Sequence, residues 1–131
     1  MTSPKEETFL LIFVNGTTLR VPRGNDLEAT LIMHAGKHVE FVGLTANERI
    51  AVYCSLPWKG LGRNELANAM LDVLGVDIEG FSTSELNGTV ILTAPQGKGL
   101  SEEMLTALEK YIKSGDYHDE SLDPPAILTD R

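Results

Sequence analysis

Three passages of the chain share one punctuation, and that pattern constrains the fold more than any single residue does. They read VPRGNDLEATLIMHAG from Val21 to Gly36, LPWKGLGRNELANAMLDVLG from Leu56 to Gly75, and APQGKGLSEEMLTALEKYIKSG from Ala94 to Gly115. Each has a proline near its start (Pro22, Pro57, Pro95) and closes on a glycine. The prolines lie 35 and 38 residues apart and the closing glycines 39 and 40 apart. What precedes each proline is hairpin-like: LLIFV-NG-TTLRV, HVEFVGL-TAN-ERIAVYCSL and FSTSEL-NG-TVILT. Asn15-Gly16 and Asn87-Gly88 predict two-residue type I′ turns, which need positive φ at both central positions. Proline then ends each second strand, because it cannot donate to the ladder. The pattern predicts an α+β fold of three successive ββα units, a mainly antiparallel sheet with helices on one face.

The predicted helices have recognisable ends. Ser101 is a good N-cap for the third, with Glu102 and Glu103 in its first turn, and Asn64 caps the second, with Gly75 as its stop. The first, Asp26 to Ala35, is apolar nearly all round and is read as helix from the repeat. Phe9 to Val14 shows no polar alternation and is expected to be a buried strand. The length of 131 residues fits one domain, taken as 1–115. Residues 116–131 carry five acids against one base, together with Pro124-Pro125, and are expected to form an extended acidic tail.

Catalytic chemistry finds no foothold. Cys54 is the only cysteine, which excludes an intrachain disulfide. It alternates with Ile50, Val52 and Leu56, so it reads as core. His34 and His38 have the spacing of a metal pair and Glu40 follows, but Gly36 between them stops the helix, so no metal site is assigned. No carboxylate pair stands out, and no cofactor or catalytic residue is assigned. A net charge of −8 and a pI near 4.8 argue against nucleic-acid and anionic-membrane binding. The apolar run Phe9 to Val14 is too short for a signal core or a membrane span. The expected location is intracellular, within an assembly or free in the cytoplasm.

Two surfaces are singled out. The loops before the helices put Arg23 and Gly24, Lys59 and Arg63, and Gly97 and Lys98 close to helix N-termini, where free N–H groups and the helix dipole favour an anion. These bases are expected to share one end of the molecule. Trp58 in LPWKGLG is either a partner-facing hot spot or a lid on the core. In the tail, Ala126, Ile127 and Leu128 form a short apolar cluster suited to docking on a partner.

The function these features predict is a non-enzymatic protein–protein interaction domain, a small structural subunit of a larger assembly whose partners include further copies of itself. An immunity or inhibitor protein fits the acidity equally well, and a phosphate- or anion-binding protein, resting on the basic loops, comes last. From Ile50 to Ile112 the order strand, Leu-Pro, helix, hairpin, helix resembles the small acidic chaperones of type III secretion. The resemblance covers about half the chain and implies a chaperone role, although the N-terminal helix of those chaperones has no counterpart here.

Overall fold

The computed structural model describes residues 8–22, 27–35, 38–56, 62–76, 86–119 and 121–129. Among them are strands β1 (Thr8–Ile12), β2 (Thr18–Pro22), β3 (His38–Leu44), β4 (Ala51–Leu56) and β5 (Val90–Thr93). The helices are α1 (Leu27–Ala35), α2 (Glu65–Val73), α3 (Glu102–Ser114) and the short α4 (Ala126–Thr129). The strands form one antiparallel sheet in the order β2-β1-β5-β4-β3. The fold is therefore α+β, with β1 and β5 buried in the interior of the sheet.

The topology overturns the threefold repeat. Blocks one and two each supply a hairpin, β1–β2 and β3–β4. Block three supplies β5, which pairs with β1 on one side and β4 on the other. Both edges of β5 are taken, so it has no hairpin partner from its own block. The hairpin in the chaperone-like element order would need one of these same edges, and residues 81–85, its expected first strand, lie outside the described residues. Asn87 instead makes an isolated bridge with Arg63, and the Gly88 N–H donates to the Gly62 carbonyl at 2.9 Å.

The first hairpin also differs from expectation in its turn. The Phe13 N–H donates to the Thr17 carbonyl and the Gly16 N–H to the Phe13 carbonyl, both at 2.9 Å, which makes a three-residue loop. Only Gly16 takes positive φ, at 86°, as in a type I turn followed by a left-handed residue. Asn15 stays out of that region because its Oδ1 accepts from the N–H and hydroxyl of Thr17, at 3.0 and 2.6 Å. That local side-chain turn outcompetes type I′ geometry.

Alternation along the strands builds two cores. Leu10 and Ile12, Val52 and Cys54, and Val90 and Leu92 face α2, α3 and α4, where they meet Met70, Leu71, Leu105, Leu108 and Leu128. Phe9, Leu11 and Ile91 point the other way and pack with Val21 and with Leu31 of α1. The helices thus divide between both faces instead of sharing one. The physical reason is that β1 and β5 are apolar on both sides, so each face needs a cover. Cys54 is fully buried, as its alternation predicted.

The caps are those expected from sequence. Ser101 Oγ accepts from the Met104 N–H at 3.1 Å. Asn64 Oδ1 accepts from the Ala67 N–H at 3.2 Å, while its Nδ2 donates to the carbonyls of Ile12 and Gly88, each at 2.9 Å. One buried amide therefore fixes the start of α2 to the ends of β1 and β5. Helix α2 closes in a Schellman motif: the Gly75 N–H donates to Asp72 and the Val76 N–H to Leu71. Gly75 has φ of 80°, and a Cβ there would lie 2.9 Å from the Ala46 Cβ, so this stop requires glycine twice over. On the β2 edge, the Arg20 guanidinium binds Glu102 at 2.8 Å and also Glu109, clamping α3 to the sheet.

The end of the chain departs from the extended tail. Asp116–His118 is a single 3₁₀ turn and residues 126–129 form α4. Leu128 is only 1% exposed within the main core. Its carbonyl accepts from Asn47 Nδ2 at 3.0 Å, in the turn between β3 and β4. Asp116, Asp119 and Asp123 are exposed, and Leu128 folds back because its burial offsets the ordering of a short connection.

Candidate functional site

Pairing register assembles a row of side chains across all five strands on the α1 side of the sheet: Leu19, Leu11, Ile91, Tyr53 and Phe41. The middle of the row is covered. Its ends are not: Leu19 and Phe41 are each 49% exposed. The Phe41 ring meets Tyr53 edge-on with centroids 5.6 Å apart, and burial pushes the Tyr53 hydroxyl above its ordinary pKa. Above the sheet, Leu31 and Thr30 of α1 are buried, whereas Ile32 and Met33 are 39% and 77% exposed. Both charged residues of the strands, Arg20 and Glu40, lie opposite Leu10 and Cys54 and so belong to the other face. On the α1 side the described strand side chains carry no charge, and large apolar side chains stand exposed.

A second feature is an open cleft of about 640 Å³ along the outer stripe of α2, from Glu65 through Asn68 and Ala69 to Asp72. The β1–β2 turn closes one end and Tyr117 and His118 the other. Arg63 stands 3.7 Å from Glu65, and the Tyr117 and His118 rings lie with centroids 4.3 Å apart. Asn68 spends its amide on backbone, donating to the Asn64 and Leu86 carbonyls and accepting from the Leu86 N–H, all at 2.8 Å. The lining mixes an arginine, two carboxylates and a histidine around Leu66 and Val14 without aligning a nucleophile and a base.

Of the bases expected to share one end of the molecule, the two that are described, Arg63 and Lys98, lie apart. Arg63 sits at the end of β5 marked by Ile12 and Val90, through the bridge to Asn87. Lys98 and Gly97 sit at the other end, where the Lys98 carbonyl accepts from the Ala94 N–H and the Leu100 N–H reaches the Thr8 carbonyl. The reason is topological: β5 runs between the two loops, which the repeat had superposed. Arg23, Gly24, Trp58 and Lys59 lie outside the described residues. Of the tail cluster, Ala126 is exposed and Ile127 partly buried, while Leu128 is spent inside the chain's own core. His34 closes α1 and His38 opens β3, so the two do not share a helix.

The exposed apolar residues Leu19, Ile32, Met33 and Phe41 were not singled out from sequence. The available signal was LEATLIMHA, a helix too apolar for one contact face. No described helix is long and apolar enough to cross a membrane. Compared with known proteins, the chain matches no family model, no curated protein and no solved structure.

Proposed function

We propose that the chain is a protein–protein interaction domain, a structural subunit that works by docking and not by covalent chemistry, and that it docks through the α1 side of its sheet. The single observation that carries this reading is the exposure of four large apolar side chains, Leu19, Ile32, Met33 and Phe41, on the α1 side. Contiguous apolar surface kept in water costs free energy, and on soluble proteins it marks interaction sites. Covering it returns about 25 cal/mol per Å², and Phe41, anchored by Tyr53, has the character of a hot spot. The apolar cluster of the tail supports docking less well, since Leu128 is already buried within its own chain.

The test is photo-crosslinking in cells, with a photoreactive aromatic residue replacing Phe41 in one version of the full chain and Glu65 in another. The expected result is a discrete protein adduct from position 41 that disappears when Met33→Glu is added, and none from position 65. Adducts from position 65 alone, or from neither, would overturn the reading.

A further inference from the structure

We infer that residues 121–129 form a latch that opens on its own while the domain stays folded, uncovering a slot in the main core beside α3 and the β3–β4 turn. The segment is held at one point. Of its residues only Leu128 is buried, with Pro124 and Ile127 partly so. Among the described residues, a single hydrogen bond ties it to the domain, from Asn47 Nδ2 to the Leu128 carbonyl at 3.0 Å. Its other bonds are local. Ser121 and Leu122 donate to Asp119, the Leu128 N–H to the Pro125 carbonyl and the Thr129 hydroxyl to the Ala126 carbonyl, and none of these holds the segment to the domain.

The receiving side stands without the tail. Asn47 is fixed from within its own turn, where its Oδ1 accepts from the Thr45 hydroxyl at 2.7 Å and the Arg49 N–H at 3.1 Å. The turn is closed by the Thr45 N–H on the Ile50 carbonyl and tied to α2 by the Ala46 N–H on the Leu74 carbonyl. The slot therefore keeps its donor in place when Leu128 leaves. The root of the latch is pinned as well: Tyr117 packs edge-on against Tyr111, with centroids 5.8 Å apart, and against the main core, so motion begins beyond it. Pro124 and Pro125 have no N–H to lose, and α4, with four residues, is too short to persist as a helix once released. One leucine and one hydrogen bond are a small part of what holds the domain, so this segment opens at a lower free energy than global unfolding.

The test is thiol labelling of the full chain carrying Leu128→Cys, with Cys54, fully buried in the same core, as the reference for global opening. Dithionitrobenzoate should reach the introduced thiol at least about a hundredfold faster than Cys54. The rate at position 128 should stay nearly flat in urea below the unfolding transition, because a local opening exposes little surface, while the rate at Cys54 rises steeply. The unsubstituted chain gives the second reading. Chymotrypsin can cut after Leu128 only when that side chain has left the core, and the rate of this cut should be equally flat in urea. Equal labelling rates with equal urea dependence at the two thiols, in a variant whose Cys54 is as slow as in the parent, would overturn the latch. Should Leu128→Cys unfold the domain, the parent decides alone: a cut after Leu128 that steepens with urea as Cys54 labelling does would show that the segment leaves only with the whole domain.

Discussion

Leu19 and Phe41 stand at opposite ends of one cross-strand row, each with about half its surface in water, while Leu11 and Ile91 between them are almost completely buried. Position along the row therefore predicts the cost of truncation. Leu19→Ala and Phe41→Ala should each cost the monomer about 1 kcal/mol or less, whereas Leu11→Ala should cost about 2–5 kcal/mol. Urea unfolding at low protein concentration checks this. A large loss at Phe41 would mean that it serves the monomer core and not a partner.

The buried amide of Asn64 separates two roles in one side chain. Asn64→Asp keeps the cap on the Ala67 N–H but cannot donate to Ile12 and Gly88. Asn64→Ala loses cap and donor together. Asn64→Asp should lose about 2 kcal/mol or more, since two buried carbonyls lose their donor at about 1–3 each, and Asn64→Ala about 1 more for the lost cap. If Asp matched the parent, the cap alone would account for the residue.

Truncating the chain after Gly115 should lower the melting temperature, because it removes Leu128 from the core and leaves Asn47 Nδ2 without the Leu128 carbonyl. Leu128→Ala alone should cost about 2–4 kcal/mol. A truncated chain melting with the parent would show that α4 is an appendage.

Tyr111 is buried, and its hydroxyl has no hydrogen-bond partner among the described residues. Burial and the nearby Asp116 raise its pKa. The folded state therefore holds this proton more tightly than the unfolded chain does. The corresponding stability is complete below the unfolded value of about 10 and is lost as pH rises from there toward the folded pKa. Tyr111→Phe should be neutral or more stable by up to about 1 kcal/mol at pH 7, with a shallower alkaline loss. Thermal melts from pH 7 to above the tyrosine range read both effects, and a marked destabilisation at pH 7 would reveal a partner for the hydroxyl.

Local chemistry was legible in the sequence and long-range pairing was not. The caps Ser101 and Asn64, the stop at Gly75 and the burial of Cys54 depend on neighbours within a few residues, and all four stand as read. The position of β5 depends on competition for strand edges: β1 and β4 both capture it, and no spacing of prolines and glycines encodes that choice. The same competition separates Arg63 from Lys98. The tail misled because its acids dominate the composition, while its fold is decided by one leucine and an asparagine 81 residues away. The α1 face went unread because Leu19 and Phe41 look like ordinary strand residues until register places them in one row.

The most direct test of the central claim is a series of methyl NMR spectra of the full chain titrated with the protein that crosslinks from position 41. If the α1 side is the docking face, the methyl signals of Leu19, Ile32 and Met33 shift together as that protein is added, while those of Leu128 and Val52, buried on the other face, stay fixed. Signals that move instead at Val14 and Leu66 beside the cleft, or at no methyl group, would contradict the account.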